Sequence, residues 1–551
     1  MIPTKPWHAS YPEAIPHNLE IEKITMPQSL SKNASRYPDY DSLVFMNKKI
    51  KFSELEKLVN SFARALKDLD VKKGDRVAVI LPNIPQVVIT NYAVMKIGAV
   101  IVLNNPLYTE RELAHQLVDS GATVLVALDL MLPNALKVID QTKIKTIINC
   151  HINDYLGAPL KQLLPILKKE MYKKAEPREG LYDFLDLINK YPGDPVEDET
   201  EWDELAALLY TGGTTGISKG VMLSHANLSS SIQITTAAAL PEARAGETAL
   251  AIFPFFHAAG FTVIQGFGIW VGLTLVLIPR PVPEAILKAT KKHKPDYLPG
   301  VPTIWVALLN NEEFCKMDLS FVKGFLSGAA PLSLETINQL KELRKADIIT
   351  GLGLTETAGL ATCTPWGDKR VKPGTVGLPM PNMEVKIVDV ETGTYELKQG
   401  EVGEILIKGP SVSKGYYKKP DETKSAFREG WLYTGDIGCF DEDYYLYIVD
   451  RKKDLIITGG YNVYPAEVEE ILFKHPRILE ACVIGASDDY RGEKVKAFVV
   501  VKPGENLSQN EVTEHCKEQL APYKVPREVV FIDELPKSVV GKILRRKLKE
   551  A

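Results

Sequence analysis

Short apolar runs recur along the chain, each followed by a stretch of amphipathic, helix-like pattern. RVAVILP, AVIVLNN, ATVLVAL and KTIINC fall in the first third, and TLVLIP and YLPGVP follow later. A strand buried on both faces reads as a continuous apolar run, and its alternation with helical stretches is the pattern of parallel α/β layers. Gly74, with Asp75, precedes the first run and Gly121 precedes another, each marking a helix end. At 551 residues the chain is too long for one simple core, and usual domain sizes predict roughly three to four modules.

After about residue 374 the texture shifts to short strands with turns, such as VKIVDVETGT and GEILIKG, which predicts a small β-rich subdomain. The charged cluster at 450–453 separates it from a final α/β module and marks the best domain boundary. The expected organisation is α/β: residues 1–450 form a large N-terminal domain of α/β layers, with the β-rich subdomain at about 374–450. Residues 451–551 form a small α+β C-terminal domain. Residues 165–204 are polar and mixed in charge and predict a loop-rich insertion. There are no internal repeats and no low-complexity segments.

Composition is that of an ordinary globular protein, 45% hydrophobic and 25% charged with a formal net charge of −4, and it lacks the basic excess of a nucleic-acid partner. Six scattered cysteines with no C-x-x-C pair indicate neither a disulfide framework nor a zinc site, and fit a reducing cytoplasm. The N-terminus has no apolar signal-peptide core. Residues 248–279 carry no Asp, Glu, Lys or Arg and are long enough to span a bilayer. Pro254, His257, Gln265 and four glycines interrupt this run. It divides better into a buried strand (249–255), a glycine-rich helix (258–271) and a second strand (273–278).

The most chemically pointed segment is YTGGTTGISKG (210–220), which closes the apolar run 205–209. Glycine lets backbone N–H groups turn inward without a Cβ clash, and threonine adds hydroxyl donors, so phosphate oxygens suit such a concavity, with Lys219 as a point charge. It is not a Walker A loop, because Lys219 follows Ser218 and precedes Gly220 instead of standing between Gly and Ser/Thr.

This loop resembles the phosphate loop of the acyl-adenylate-forming superfamily, which includes acyl-CoA synthetases, adenylation domains and firefly-type luciferases. The resemblance extends in order through FPFFHAAG (253–260), LSGAAPLS (326–333), TGLGLTET (350–357), GEILIKGP (403–410) and WLYTGDIG (431–438). VDRKKDLIITGGYNVYPAEVEE (449–470) and LPKSVVGKILRRKL (535–548) complete it. With NNPLYTERELAHQLVDSGA (104–122), the wording is most similar to prokaryotic long-chain fatty-acid–CoA ligases.

The resemblance implies ATP, Mg²⁺ and coenzyme A as the small molecules handled with a fatty acid. Thr211, Gly212, Gly213, Thr214, Thr215 and Gly216 with Lys219 would cradle phosphates. Glu356 and Thr211 would bind Mg²⁺, and Thr355 would touch the α-phosphate. Asp436 would hold the ribose hydroxyls with Arg451 as its companion. Gly328, Ala329 and Ala330 leave room for adenine and the acyl chain. Gly351, Leu352 and Gly353 form the adenine motif, in which most relatives carry an aromatic where this chain has Leu352. Lys542 would be the adenylation lysine. Its bland alternative is a solvated basic tail among Lys537, Arg545, Arg546, Lys547 and Lys549. By analogy the small domain is mobile about Lys453 and presents Gly459, Gly460 and Tyr461 for the thiol step. His257 would stand between an acyl pocket, lined by Phe255, Phe256, Phe261, Ile264 and Trp270, and the pantetheine tunnel; core packing accounts for most of these residues equally well.

The reading is therefore a medium- or long-chain acyl-CoA ligase. A ligase for aryl or short acids, an enzyme loading a carrier protein, and a non-catalytic nucleotide sensor stay open as alternatives. No phosphopantetheine-carrier segment follows residue 548, which speaks against a peptide-synthetase module. A homodimer is left open. So is a peripheral contact with the inner face of a membrane, through the apolar and basic residues 156–174, for which a solvated helix is the preferred reading.

Overall fold

The computed structural model describes all residues except 1–4, 212–217, 329–331, 369, 371, 459–460, 489, 538–542 and 551. The chain forms two compact units, Met1–Glu384 with Lys408–Leu432, and Val385–Ile407 with Tyr433–Ala551.

Two seven-stranded sheets build the first unit. In one, Leu181–Asp183, Thr146–Cys150, Val124–Leu128, Arg76–Ile80, Val100–Leu103 and Leu205–Thr211 run parallel, and Lys219–Ser224 closes the edge antiparallel to Leu205–Thr211. In the other, Asp347–Thr350, Gly324–Ser327, Tyr297–Gly300, Thr248–Ala251, Thr274–Leu277 and Asp41–Phe45 are parallel, and Lys48–Lys51 is the antiparallel edge. The apolar runs named above are these strands. They read as continuous because both faces are covered: Val100–Leu103 and Val124–Leu128 are buried at every position. Gly121 ends the helix Glu110–Ser120 in a left-handed conformation (φ 64°), a cost that glycine avoids.

The uncharged run is interior. It forms the strand Thr248–Ala251, a π-helical stretch Ala259–Gly266 continuing as the α-helix Phe267–Val271, and the strand Thr274–Leu277. Among the described residues no helix is long and apolar enough to cross a membrane. The wide π turn brings Gly260 so near the preceding loop that a Cβ would sit 1.9 Å from the Pro254 carbonyl oxygen. The 165–204 insertion is more ordered than its composition suggests. Leu181–Asp183 joins the edge of the first sheet, and Asp183 caps the helix Phe184–Asn189 by accepting from the Leu185 and Asp186 N–H groups.

In the second unit the strands Glu384–Val388, Gly403–Lys408, Trp431–Phe440 and Leu446–Arg451 share one sheet. A second sheet, ordered Tyr461–Val463, Ile456–Thr458, Gly492–Val501 and Ile478–Asp488 with Glu528–Phe531 parallel to Gly492–Val501, packs the helices Pro465–Phe473 and Gln509–Lys517. The β-rich residues thus share a compact unit with the C-terminal residues. Asp450, at the end of a β-rich strand, accepts from the Ala466 N–H at 2.9 Å.

Candidate active site

In the second sheet of the first unit the strands Thr248–Ala251, Tyr297–Gly300, Gly324–Ser327 and Asp347–Thr350 are parallel neighbours, so their carboxyl ends share one edge. Open α/β sheets bind ligands outside such an edge. FPFFHAAG leaves from the first of these ends, Gly328 from the third and GLGLTET from the fourth.

The turn carrying Thr355 and Glu356 is fixed by Thr357, whose buried hydroxyl donates to the Gly359 carbonyl at 2.6 Å and accepts from the Leu354 N–H at 3.0 Å. Gly351 and Gly353 are required by close approach: a Cβ would lie 2.4 Å from the Thr362 carbonyl oxygen and 2.9 Å from that of Gly359. Leu352 between them is only 6% exposed, and its carbonyl accepts from the Ala361 N–H at 2.8 Å.

Glu356 is half-buried and accepts at Oε1 from the Tyr416 hydroxyl at 2.8 Å. Its Oε2 has no hydrogen-bond donor among the described residues. Thr211, last in its strand, is the cross-strand partner of Lys219, and both strands pack against the Thr355–Thr357 turn. The Lys219 ammonium lies 5.0 Å from the centroid of the Tyr416 ring. Burial, then the neighbouring Glu356 carboxylate, raises the Tyr416 phenol well above its ordinary value, so it stays a donor. The structure thus brings Lys219 and Glu356 to a tyrosine that sequence reasoning missed, with Thr211 across the strands from Lys219 and Thr355 next to Glu356 in its turn. Gly212, Gly213, Thr214, Thr215, Gly216, Ala329 and Ala330 lie outside the described residues.

His257 is exposed, and its Nδ1 accepts from the Ala259 N–H at 3.2 Å. Phe255, Phe261 and Ile264 are buried, whereas Phe256 and Trp270 are only partly so. A second residue unmarked in the sequence reading, Asn83, clamps this loop. Its side-chain amide donates to the Ala251 and Phe253 carbonyls at 2.9 and 3.0 Å and accepts from the Phe255 N–H at 2.9 Å.

In the second unit Asp436 and Arg451 face each other across antiparallel strands, with Nε 2.8 Å from Oδ1. Lys453 follows that strand and is exposed. Tyr461 is 59% exposed and stacks on Tyr523 at 4.7 Å. Gly459, Gly460 and Lys542 lie outside the described residues. Beside Lys542 the basic tail is not simply solvated. Arg545 donates to both Glu469 carboxylate oxygens at 2.7 and 2.8 Å, Lys537 pairs with Glu480, and Leu548 is buried.

In the first unit, the hairpin of Leu205–Thr211 and Lys219–Ser224 packs against the turn that carries Glu356, so a lysine, hydroxyls and a carboxylate stand together, a donor set of the kind that handles phosphates. The chain belongs to the AMP-binding enzyme family, whose model matches residues 30–417, and the family's C-terminal domain matches 467–542. A long-chain-fatty-acid–CoA ligase of Bacillus subtilis (strain 168) is 41% identical over 551 residues, covering 99% of this chain and 98% of its own. ATP-bound MatB from Rhodopseudomonas palustris superposes with a TM-score of 0.84 at 29% identity, covering 96% of this chain and 99% of its own. The anthranilate CoA ligase AuaEII in complex with anthranoyl-AMP gives a TM-score of 0.83 at 27% identity, covering 98% of each chain.

Proposed function

We propose that this chain is a long-chain fatty-acid–CoA ligase. A fatty carboxylate attacks the α-phosphorus of ATP, the bond to the bridging oxygen breaks, and pyrophosphate leaves with that electron pair. The thiol of coenzyme A then attacks the acyl carbon of the acyl-AMP, giving the thioester and AMP and releasing its proton. The observation that carries the reading is the gathering of Thr211, Lys219 and Glu356 at one place in the first unit. The full-length likeness to the Bacillus ligase supports the choice of acid.

Phosphoryl-type transfers depend mainly on positioning and charge stabilisation. Lys219 offers a point charge to phosphate oxygens and Thr355 a hydroxyl to the α-phosphate. Asp436 accepts the ribose hydroxyls while Arg451 keeps it oriented. Two oxygen donors, Thr211 Oγ1 and Glu356 Oε2, suit a hard cation, and the latter has no competing donor among the described residues. Bound there, Mg²⁺ would neutralise phosphate charge. Lys542 supplies the cation at the reacting carboxylate, swinging in about Lys453, and Gly459, Gly460 and Tyr461 serve the thiol step.

We also assign a peripheral lipid contact to the helix Leu160–Leu167, which buries none of its side chains: Ile166 and Leu167 are 67% and 70% exposed beside Lys168 and Lys169. Apolar and basic residues together fit an anionic surface. The test of the function is acid-dependent AMP release with coenzyme A present, across a panel from benzoate to long-chain acids. AMP release confined to aryl or short acids would overturn the fatty-acid assignment.

A further inference from the structure

Lys219 and Glu356 carry opposite charges and meet the same tyrosine, one at its ring and the other at its hydroxyl, yet no ion pair joins them among the described residues. Two such groups attract each other, and a direct contact would spend both on one another. Tyr416 contacts both. Its hydroxyl takes Glu356 Oε1 at 2.8 Å, and its π face meets the Lys219 ammonium at 5.0 Å.

The ring is held in place from several directions. Tyr416 pairs with Val221 in an antiparallel bridge, with the Met222 N–H donating to the Gly415 carbonyl at 3.0 Å and the Tyr417 N–H to that of Gly220 at 2.8 Å. These contacts tie it to the strand that Lys219 opens. Its own N–H donates to Thr423 Oγ1 at 3.0 Å, and Phe427 meets the ring edge-on at 5.7 Å. From the other side the Ser413 N–H donates to the Glu356 carbonyl at 2.7 Å. Gly415 makes the approach feasible: its φ is +139°, and a Cβ would lie 2.3 Å from Thr423 Cγ2.

We propose that Tyr416 is a positioning residue that keeps the Glu356 carboxylate and the Lys219 ammonium from neutralising each other, leaving the first for a divalent cation and the second for a phosphate. The proposal rests on the roles given to Glu356 and Lys219 above. It divides one side chain into two separable parts: the hydroxyl serves the metal carboxylate and the ring serves the lysine.

Tyr416→Phe removes the first part and keeps the second, and Tyr416→Leu removes both. Each variant is measured by calorimetric binding of ATP with EDTA and with Mg²⁺, by the half-saturating Mg²⁺ for AMP release, and by melting temperature. Glu356→Gln serves as the control. Tyr416→Phe is expected to bind metal-free ATP within about twofold of the parent while half-saturating Mg²⁺ rises about tenfold, the scale of one hydrogen bond to a charged group. Tyr416→Leu is expected also to weaken metal-free ATP binding about fivefold, the scale of a cation–π contact. If Glu356→Gln shifts the Mg²⁺ dependence and Tyr416→Phe does not, this inference falls and the metal assignment stands. If neither shifts it, both fall. A Tyr416→Phe protein that melts lower with unmoved Mg²⁺ dependence assigns the tyrosine to packing alone.

Discussion

Asp436 and Arg451 are cross-strand partners joined at 2.8 Å, and the aspartate is almost fully buried whereas the arginine reaches solvent. The asymmetry sets what each substitution does. Removing the cation from a buried carboxylate costs about 3–5 kcal/mol, so Arg451→Leu should lower the melting temperature markedly. Asp436→Asn keeps the shape but loses a two-oxygen acceptor, and the KM for ATP should rise at least about tenfold. An unchanged KM would confine Asp436 to a structural ion pair.

Asn83 holds the loop that carries His257 through three hydrogen bonds, and its side chain is buried. Asn83→Ala strands two carbonyls and one N–H, a loss of about 3 kcal/mol at roughly 1 kcal/mol for each. Thermal unfolding measures the loss. Activity toward long acids should fall further than stability explains, because the loop then loses its fixed course. A variant that melts like the parent would show that neighbouring groups replace the clamp.

His225 opens the helix that follows the strand Lys219–Ser224, and burial, aided by Lys73, pushes its pKa down to about 4. A histidine depressed in the folded state binds its proton more readily when unfolded. Its stabilising share is therefore complete above the unfolded pKa near 6.5 and is lost as pH falls from there toward 4. The depression corresponds to about 3 kcal/mol over that window. His225→Gln should flatten the acid side of the melting-temperature profile between those limits. A profile as steep as the parent's would place the acid sensitivity elsewhere.

Much of this was legible from residue order. The strands announced themselves because burial on both faces leaves no polar alternation to confuse. The uncharged run 248–279 was separable from a membrane span by its proline and glycines. The family resemblance makes Arg451 the companion of Asp436 near ribose and phosphate, and in the structure the two form an ion pair. Tyr416 and Asn83 were not visible, and the reason is distance along the chain. Tyr416 acts on Glu356 60 positions away, and Asn83 on Ala251 168 positions away. In isolation GYYKKP reads as a turn and LPN as a strand end. The π-helical turn was hidden for a related reason: the sequence shows a glycine at 260, but only the packed loop at Pro254 shows why nothing larger fits.

Lys542 lies in a tail whose neighbours are anchored, with Arg545 on Glu469 and Leu548 in the core. Lys542 itself lies outside the described residues, and under the proposed function it is delivered by rotation of its unit. Lys542→Ala should abolish acyl-AMP formation, measured by pyrophosphate exchange, while conversion of supplied acyl-AMP to acyl-CoA is largely kept. Equal loss in both half-reactions from a folded variant would refute delivery by rotation.

Leu352 replaces the aromatic usual at its place in the motif, and it is enclosed, at 6% exposure, between the glycines 351 and 353 and the paired segment 361–362. Two consequences compete when a ring is put back. Stacking on adenine would gain about 1 kcal/mol, whereas forcing a larger side chain into a packed site costs about 1–3 kcal/mol. The enclosure decides for the second, since the flanking glycines already have carbonyl oxygens within 3 Å of where a Cβ would stand and so cannot give way. Leu352→Tyr is therefore expected to lower the melting temperature and to leave the KM for ATP unimproved. The measurement is a thermal scan beside ATP saturation at fixed fatty acid. A severalfold drop in ATP KM at unchanged melting temperature would mean that the position opens onto the base.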